Sequence, residues 1–315
     1  MKNKILDRYE QLKTNLEEFS KTQISLLGLD TNKKLDIFTR QLIDSIRRVD
    51  FVGVIKDREV SEFYSDPNNE SFDPLKAALF FKQEGLIDEA FWMIFYFVYF
   101  GRNRETGWRL AREIYSSYNE DENWTWNRII ENPSEFRNWL NNNYSQMIND
   151  GIPRKFGNHR RYSTFNPTKK NNVADAIESY VSWINPPRTH IELFEENFSS
   201  SDSNPITTFN SLYVSMNSVL TFGRLAKFDY LTMVAKTGLF SIEPGLAYIN
   251  GSTGPESGTK LLFYNNINSN VSSSELEEFL VNLRDALELG PLGMQVLEDA
   301  ICNWQKSTSS YIYFR

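Results

Sequence analysis

The run Ile87-Asp-Glu-Ala-Phe-Trp-Met-Ile-Phe-Tyr-Phe-Val-Tyr-Phe100 decides the fold, because from Ala90 to Phe100 it is the longest apolar stretch in the chain. It is far short of the roughly 20 residues that cross a bilayer, so it reads as a helix of the protein interior. The sequence on either side has the same helical character. Leu75 to Gln83 precedes it, and Arg104 to Tyr118 and Ser134 to Ile148 follow, separated by Gly85, Gly101 and the polar segment Asn119 to Asn123. Asp73-Pro74 reads as a helix cap with proline in the first turn. Upstream, Ile5, Tyr9, Leu12, Leu16 and Phe19 alternate at spacings of four and three, the stripe of an amphipathic helix. A second such helix runs from about Lys34 to Val49, and the polar stretch Asp50 to Asp73 reads as a connection.

Downstream the pattern predicts helices over Val173 to Trp183, Pro205 to Phe222, Leu225 to Thr237, Ser273 to Leu287 and Gly293 to Lys306. Pro186-Pro187 breaks the first of these, and Gly238 is placed to close the third. Ser199 to Asn204 reads as a loop, Pro244 to Gly258 as turn-rich, and Lys260 to Tyr264 as a short strand. There is no βαβ rhythm and no repeat of 20 to 50 residues. The expected class is therefore mainly α and multi-helix, with an N-terminal helical segment and connection over 1–72 and a helical domain over 73–315.

A chain of 315 residues with 40% hydrophobic and 24% charged residues is long enough for a sizeable core. The single cysteine, Cys302, allows no intramolecular disulfide, and two histidines with one cysteine cannot build a His- or Cys-rich metal site. No metal and no cofactor are expected. The start Met1-Lys2-Asn3-Lys4 is basic, but Asp7-Arg8-Tyr9-Glu10 interrupts any apolar signal core, so a cytoplasmic protein without a membrane partner is expected. There is also no P-loop and no GxGxxG after a strand.

The net charge of −7 argues against indiscriminate nucleic-acid binding, so the distribution of charge decides. Over the loop 151–172 there is no acidic residue, while Arg154, Lys155, Arg160, Arg161, Lys169 and Lys170 are present with Phe156, Tyr162 and Phe165 between them. Such a segment supplies phosphate charges and a stacking ring, or it is a solvated charged loop. Gly290-Pro-Leu-Gly293 leads into a helix, and a glycine turn at a helix N-terminus lets backbone amides approach a phosphate. In that helix Gln295, Asp299, Asn303 and Lys306 recur on a face distinct from Met294, Leu297, Ile301 and Trp304, which is an organised polar face or a solvated one. In Phe222-Gly-Arg-Leu-Ala-Lys-Phe-Asp-Tyr-Leu231, Arg224 and Lys227 lie one turn apart, and Asp229 is either poised for chemistry or paired with Lys236. Arg102 and Arg104 bind phosphates or cap the preceding helix.

The strings Phe100-Gly-Arg-Asn-Arg-Glu-Thr-Gly-Trp108, Phe156-Gly-Asn-His-Arg160, Phe222 to Leu231 and Gly293 to Lys306 resemble the alpha-glutamyl/putrescinyl thymine pyrophosphorylase family, in its third clade, over roughly Leu75 to Arg315. The resemblance implies a helical domain related to the helix-hairpin-helix DNA glycosylases, and double-stranded DNA carrying modified bases as partner. Some relatives look like defence glycosylases that remove modified bases from invading phage DNA. The turn Gly290-Pro-Leu-Gly293 departs from the usual Leu-Pro-Gly-Val-Gly hairpin, and no lysine stands at a lyase position, which implies a monofunctional enzyme.

On this reading Asp299 is the first choice for the carboxylate that opposes an oxocarbenium-like sugar, and Asp229 the second. Gln295, Asn303, Asn158, Tyr230 and Tyr162 would read or stack on the base. Arg102, Arg104, His159, Arg160, Arg161, Arg224, Lys227, Gly290, Gly293 and Lys306 would contact phosphates. The alternatives are a transferase that displaces pyrophosphate from an activated hydroxymethyl pyrimidine, and a DNA-binding protein without catalysis.

Overall fold

A computed structural model describes residues 2–118, 122–160 and 163–314. Among these there are fourteen α-helices and no strand, so the mainly-α, multi-helix expectation holds. No helix among the described residues is long and apolar enough to cross a membrane. The chain divides into two compact units, residues 1–55 with 243–315 and residues 56–242. This is not the division at residue 72: the first two helices find their apolar partners in the last three, a long-range pairing that no local pattern carries.

The first unit contains α1 (Lys2–Thr22), α2 (Asn32–Lys56), α12 (Gly254–Tyr264), α13 (Ser273–Ala286) and α14 (Gly293–Trp304). Leu12, Leu16 and Phe19 of α1 and Phe38 and Leu42 of α2 share a core with Leu262, Leu276, Leu280, Leu297, Ile301 and Trp304. Ile5 lies outside it and is exposed. The expected strand Lys260 to Tyr264 is instead the second half of α12. Pro255 occupies the first turn of that helix, and Leu262 and Phe263 are buried one turn beyond Thr259, so helical spacing explains their burial. The connection expected from Asp50 begins later, because α2 runs on to Lys56 and buries Val52.

The second unit contains α3 (Pro74–Gln83), α4 (Ile87–Phe100), α5 (Arg109–Tyr115), α6 (Trp126–Glu131), α7 (Pro133–Asn149), α8 (Val173–Ile184), α9 (His190–Ser200), α10 (Pro205–Ser215) and α11 (Arg224–Thr237). Its axis is α4, buried from Ala90 to Tyr96 and again from Val98 to Phe100, which packs against α3, α5, α6, α9 and α11. A helix apolar on nearly every side belongs at the centre of a bundle. Asp73 Oδ1 accepts from the amides of Leu75 (3.0 Å) and Lys76 (3.2 Å), the cap expected at α3. At the far end of α11, Gly238 takes the left-handed conformation and Lys82 Nζ donates to the Thr237 carbonyl (2.7 Å).

Besides α12, two helices escaped the sequence reading. Thr189 and Glu192 form a capping box that starts α9, and Thr125 caps α6; both signals are present in the sequence. The helix expected from Arg104 starts only at Arg109. Asn103 Oδ1 accepts from the amides of Glu105 (2.9 Å) and Thr106 (3.2 Å), and the backbones of Asn103 and Gly107 pair, which turns the chain before it can enter the helix.

Candidate functional site

The buried α4 must satisfy its last carbonyls, since the end of a helix leaves them without intrahelical donors. The segment Phe156 to Arg160 does this. The Gly157 amide donates to the Phe100 carbonyl (2.8 Å), and Arg160 Nε donates to the Val98 carbonyl (2.7 Å). A guanidinium at a helix C-terminus also meets the negative end of the helix dipole. The two backbones approach so closely that a Cβ on Gly157 would stand 2.8 Å from the Gly101 carbonyl carbon. Asn103 Nδ2 adds a hydrogen bond to the Phe156 carbonyl (2.9 Å).

The other end of the Arg160 guanidinium reaches α11, where Nη2 donates to Asp229 Oδ2 (2.9 Å). The arginine side chain is 11% exposed and the aspartate 34%. Three strings that are separated by about 50 to 60 residues in sequence thus meet at one place: Phe100 to Trp108, Phe156 to Arg160 and Phe222 to Leu231. The partner of Asp229 here is Arg160, where the sequence suggested Lys236. Beneath them Phe100 stacks on Phe156 (5.7 Å, 7°), and Phe222 stacks on Phe95 (5.4 Å, 5°).

On the first two of these strings Arg102, Arg104, Asn158 and His159 are exposed. Lys155 is exposed too and bonds Glu105, whose carboxyl that hydrogen bond holds below the usual range. Arg161 and Tyr162 lie outside the described residues. Three of the expected contact residues face inward instead. Arg160 is committed to Val98 and Asp229. Lys227 is 7% exposed, donates to Asn217 and lies 4.0 Å from the centre of the Tyr213 ring, and burial lowers its pKa. Tyr230 is completely buried, and burial pushes its phenol far above the usual range, so it offers no face to a base in this conformation. Helix periodicity places Lys227 and Tyr230 on α11 but not on its inner or outer side. Arg224, half-buried, opens α11.

The first unit holds the other carboxylate. Asp299 Oδ2 accepts from Arg48 Nε (2.8 Å) and Ser45 Oγ (2.6 Å), with Arg48 Nη2 at 2.7 Å, and Oδ1 accepts from Asn303 Nδ2 (2.9 Å). Lys306 Nζ donates to Asn303 Oδ1 (3.0 Å). Asn303 is 8% exposed, so it braces Asp299 rather than standing on an open face, and Gln295 is half-buried. Gly290 makes the turn with φ +71°. Gly293 is buried where a Cβ would lie 2.6 Å from Arg284 Cγ and 2.7 Å from Leu289 Cβ, so close packing accounts for this glycine. Arg48 and Ser45 were not foreseen, because nothing in α2 signals that it will face α14.

Among the described residues no group of three or more His, Cys, Asp or Glu side chains is placed to hold a metal ion. In the second unit the arrangement can do two things: exposed guanidinium groups can hold an anion, and a carboxylate fixed by a buried arginine can oppose a positive charge developing beside it. The chain belongs to the alpha-glutamyl/putrescinyl thymine pyrophosphorylase clade 3 family, whose model matches residues 33–315. Membership supports a function connected with modified bases. Neither the curated proteins nor the solved structures contain a match to the chain.

Proposed function

We propose that the protein is a monofunctional DNA glycosylase that excises an enlarged, modified pyrimidine from double-stranded DNA and leaves an abasic site. The observation that carries this reading is the meeting of three family-like strings on the Arg160–Asp229 pair, with Arg102, Arg104, Asn158 and His159 of those strings exposed. Asp229 takes the catalytic role in preference to Asp299. Both oxygens of Asp299 are engaged by Arg48, Ser45 and Asn303, whereas Asp229, on α11, stands in the same unit as the exposed arginines.

Such an enzyme extrudes the target nucleotide and stabilises the sugar as the base departs. Asp229, oriented by Arg160, opposes the charge at the sugar and orients water toward it; Arg102 and Arg104 hold flanking phosphates; Asn158 and His159 meet the base or the backbone beside it. The acceptance of glucosylated hydroxymethyl pyrimidines, and a role in the cytoplasm against phages that carry them, rest on the resemblance to defence glycosylases.

Incubating the protein with duplexes that carry thymine, 5-hydroxymethyluracil, 5-hydroxymethylcytosine and its glucosylated form, followed by mass spectrometry, tests the reading. An abasic strand and a released base are expected. A duplex carrying pyrophosphorylated 5-hydroxymethyluracil whose base, with an amine present, loses pyrophosphate and gains the amine while the strand keeps its glycosidic bond would instead make the protein a transferase. Binding without either product would make it a DNA-binding protein.

A further inference from the structure

Asp88, His190, Tyr180 and Tyr230 form a hydrogen-bonded series through the interior of the second unit. Asp88 Oδ1 lies 2.6 Å from His190 Nδ1 and accepts from the His190 amide (2.8 Å). His190 Nε2 lies 2.8 Å from the Tyr180 hydroxyl, which lies 2.7 Å from the hydroxyl of Tyr230. His190, Tyr180 and Tyr230 are completely buried, with Phe91 stacked on the imidazole (4.8 Å, 12°) and Trp126 against it (4.5 Å).

The series has a direction. Burial would raise the Asp88 carboxyl, but hydrogen bonds from the His190 ring and amide outweigh it and hold Asp88 below its ordinary value. Burial lowers the His190 pKa against the pull of Asp88, so the ring is neutral and carries one proton. An ionised carboxylate only accepts, so that proton sits on Nδ1 and leaves Nε2 as an acceptor. Tyr180 then donates to Nε2, and its oxygen accepts from Tyr230.

This series ties together α4, α9, α8 and α11. Apolar side chains would fill the same space without the cost of burying polar groups, which is recovered only when every member is paired. What a paired network adds is a fixed rotation of each helix about its axis. On α11 the residue before Tyr230 is Asp229, about 100° away around the helix. Helix α11 has no side-chain cap at its N-terminus; Lys227 in its first turn donates to Asn217, and Tyr230 adds a second hold about one turn further on. We infer that Tyr230 is a positioning residue: its hydroxyl, held from inside by Tyr180, sets the rotation of α11 at which Asp229 meets Arg160. The consequence for excision rests on the assignment of Asp229 proposed above.

The test is Tyr230→Phe in the full chain. Hydrogen exchange of the Arg160 Nη2–H, which donates to Asp229 Oδ2, is expected by NMR to accelerate at least tenfold as that pair loosens. The Arg154 Nε–H, which donates to Glu113 on α5, serves as the internal reference and is expected to hold its rate. Tyr180→Phe, which keeps Tyr230 but removes its acceptor, should give the same pattern and serves if Tyr230→Phe does not fold. An unchanged Arg160 signal, or equal acceleration at Arg154, overturns the inference. In excision from a duplex with glucosylated 5-hydroxymethylcytosine, Tyr230→Phe should lower the single-turnover rate about tenfold with DNA affinity within twofold, below the roughly hundredfold that a misplacement of about 1 Å can cost. Near-normal excision by Asp229→Asn would sink the catalytic assignment while leaving the exchange result intact.

Discussion

Replacing Glu89 by glutamine should make the protein more stable at pH 8 than at pH 5 relative to the wild type. Glu89 lies in the first turn of α4, where Oε1 accepts from the Tyr115 hydroxyl (2.7 Å) and Oε2 from the Trp126 amide (2.7 Å). Burial raises its carboxyl from 4.5 to about 7; the two hydrogen bonds oppose that rise, and Asp88 adds to it. The group therefore binds its proton more tightly in the folded protein than in the unfolded chain. Between pH 4.5 and 7 the folded state carries the proton and the unfolded state does not, so stability falls as pH rises through that window and levels off above it. At about 1.4 kcal/mol for each pH unit of separation, the loss is about 3 kcal/mol.

Glutamine cannot ionise and keeps the shape, with its oxygen for the Trp126 amide and its amide group for the Tyr115 oxygen. Its own cost is a constant offset of about 1 kcal/mol for the rearranged hydrogen bonds. The pH dependence is therefore read as a difference. Urea denaturation of both proteins at pH 5, 6, 7 and 8 should show the variant gaining about 3 kcal/mol on the wild type across the series. Other titrating groups cancel because both proteins share them. A wild-type-to-variant difference that stays constant with pH would refute the reasoning, since Glu89 would then titrate alike in both states.

Asp229→Asn should keep DNA binding and reduce base release by a hundredfold or more, while Asp299→Asn retains measurable release; single-turnover cleavage after alkali, with circular dichroism for folding, checks both. A folded Asp299→Asn protein without activity would move the role to α14. Arg102→Gln with Arg104→Gln should weaken DNA binding and flatten the slope of log affinity against log salt by about 2, because two fewer phosphate-bound counterions are released; an unchanged slope would remove this segment from the interface. Gly157→Ala should cost about 1 to 3 kcal/mol, because its Cβ meets backbone that cannot rotate away, and a thermal midpoint within a degree of the wild type would refute the close approach at Gly101.

Much of the fold was legible along the chain. Ile87 to Phe100 reads as an interior helix from its composition alone, and Asp73-Pro74 and Gly238 mark their helix ends because caps are local chemistry. The capping box at Thr189 was equally local and was overlooked in favour of the Pro186-Pro187 break. The site was legible only in pieces. Arg102, Arg104, Asn158 and Asp229 stand out as residues in suggestive strings, but a string does not say which of its charges another segment will consume. Arg160 reads as a phosphate-facing arginine until the unsatisfied carbonyl of Val98 and the carboxylate of Asp229 claim it.

By itself the sequence determined that the chain is helical, where most helices start and stop, and which segments carry unusual charge, because periodicity and capping depend on neighbours within about four residues. Only the tertiary structure decided the partnerships: Asp229 with Arg160, Asp299 with Arg48 and Ser45, and the first two helices with the last three. These join residues 69, 251 and 254 positions apart. A side chain's role there depends on what arrives from elsewhere to satisfy its hydrogen bonds, and that is set by how apolar faces find one another in three dimensions.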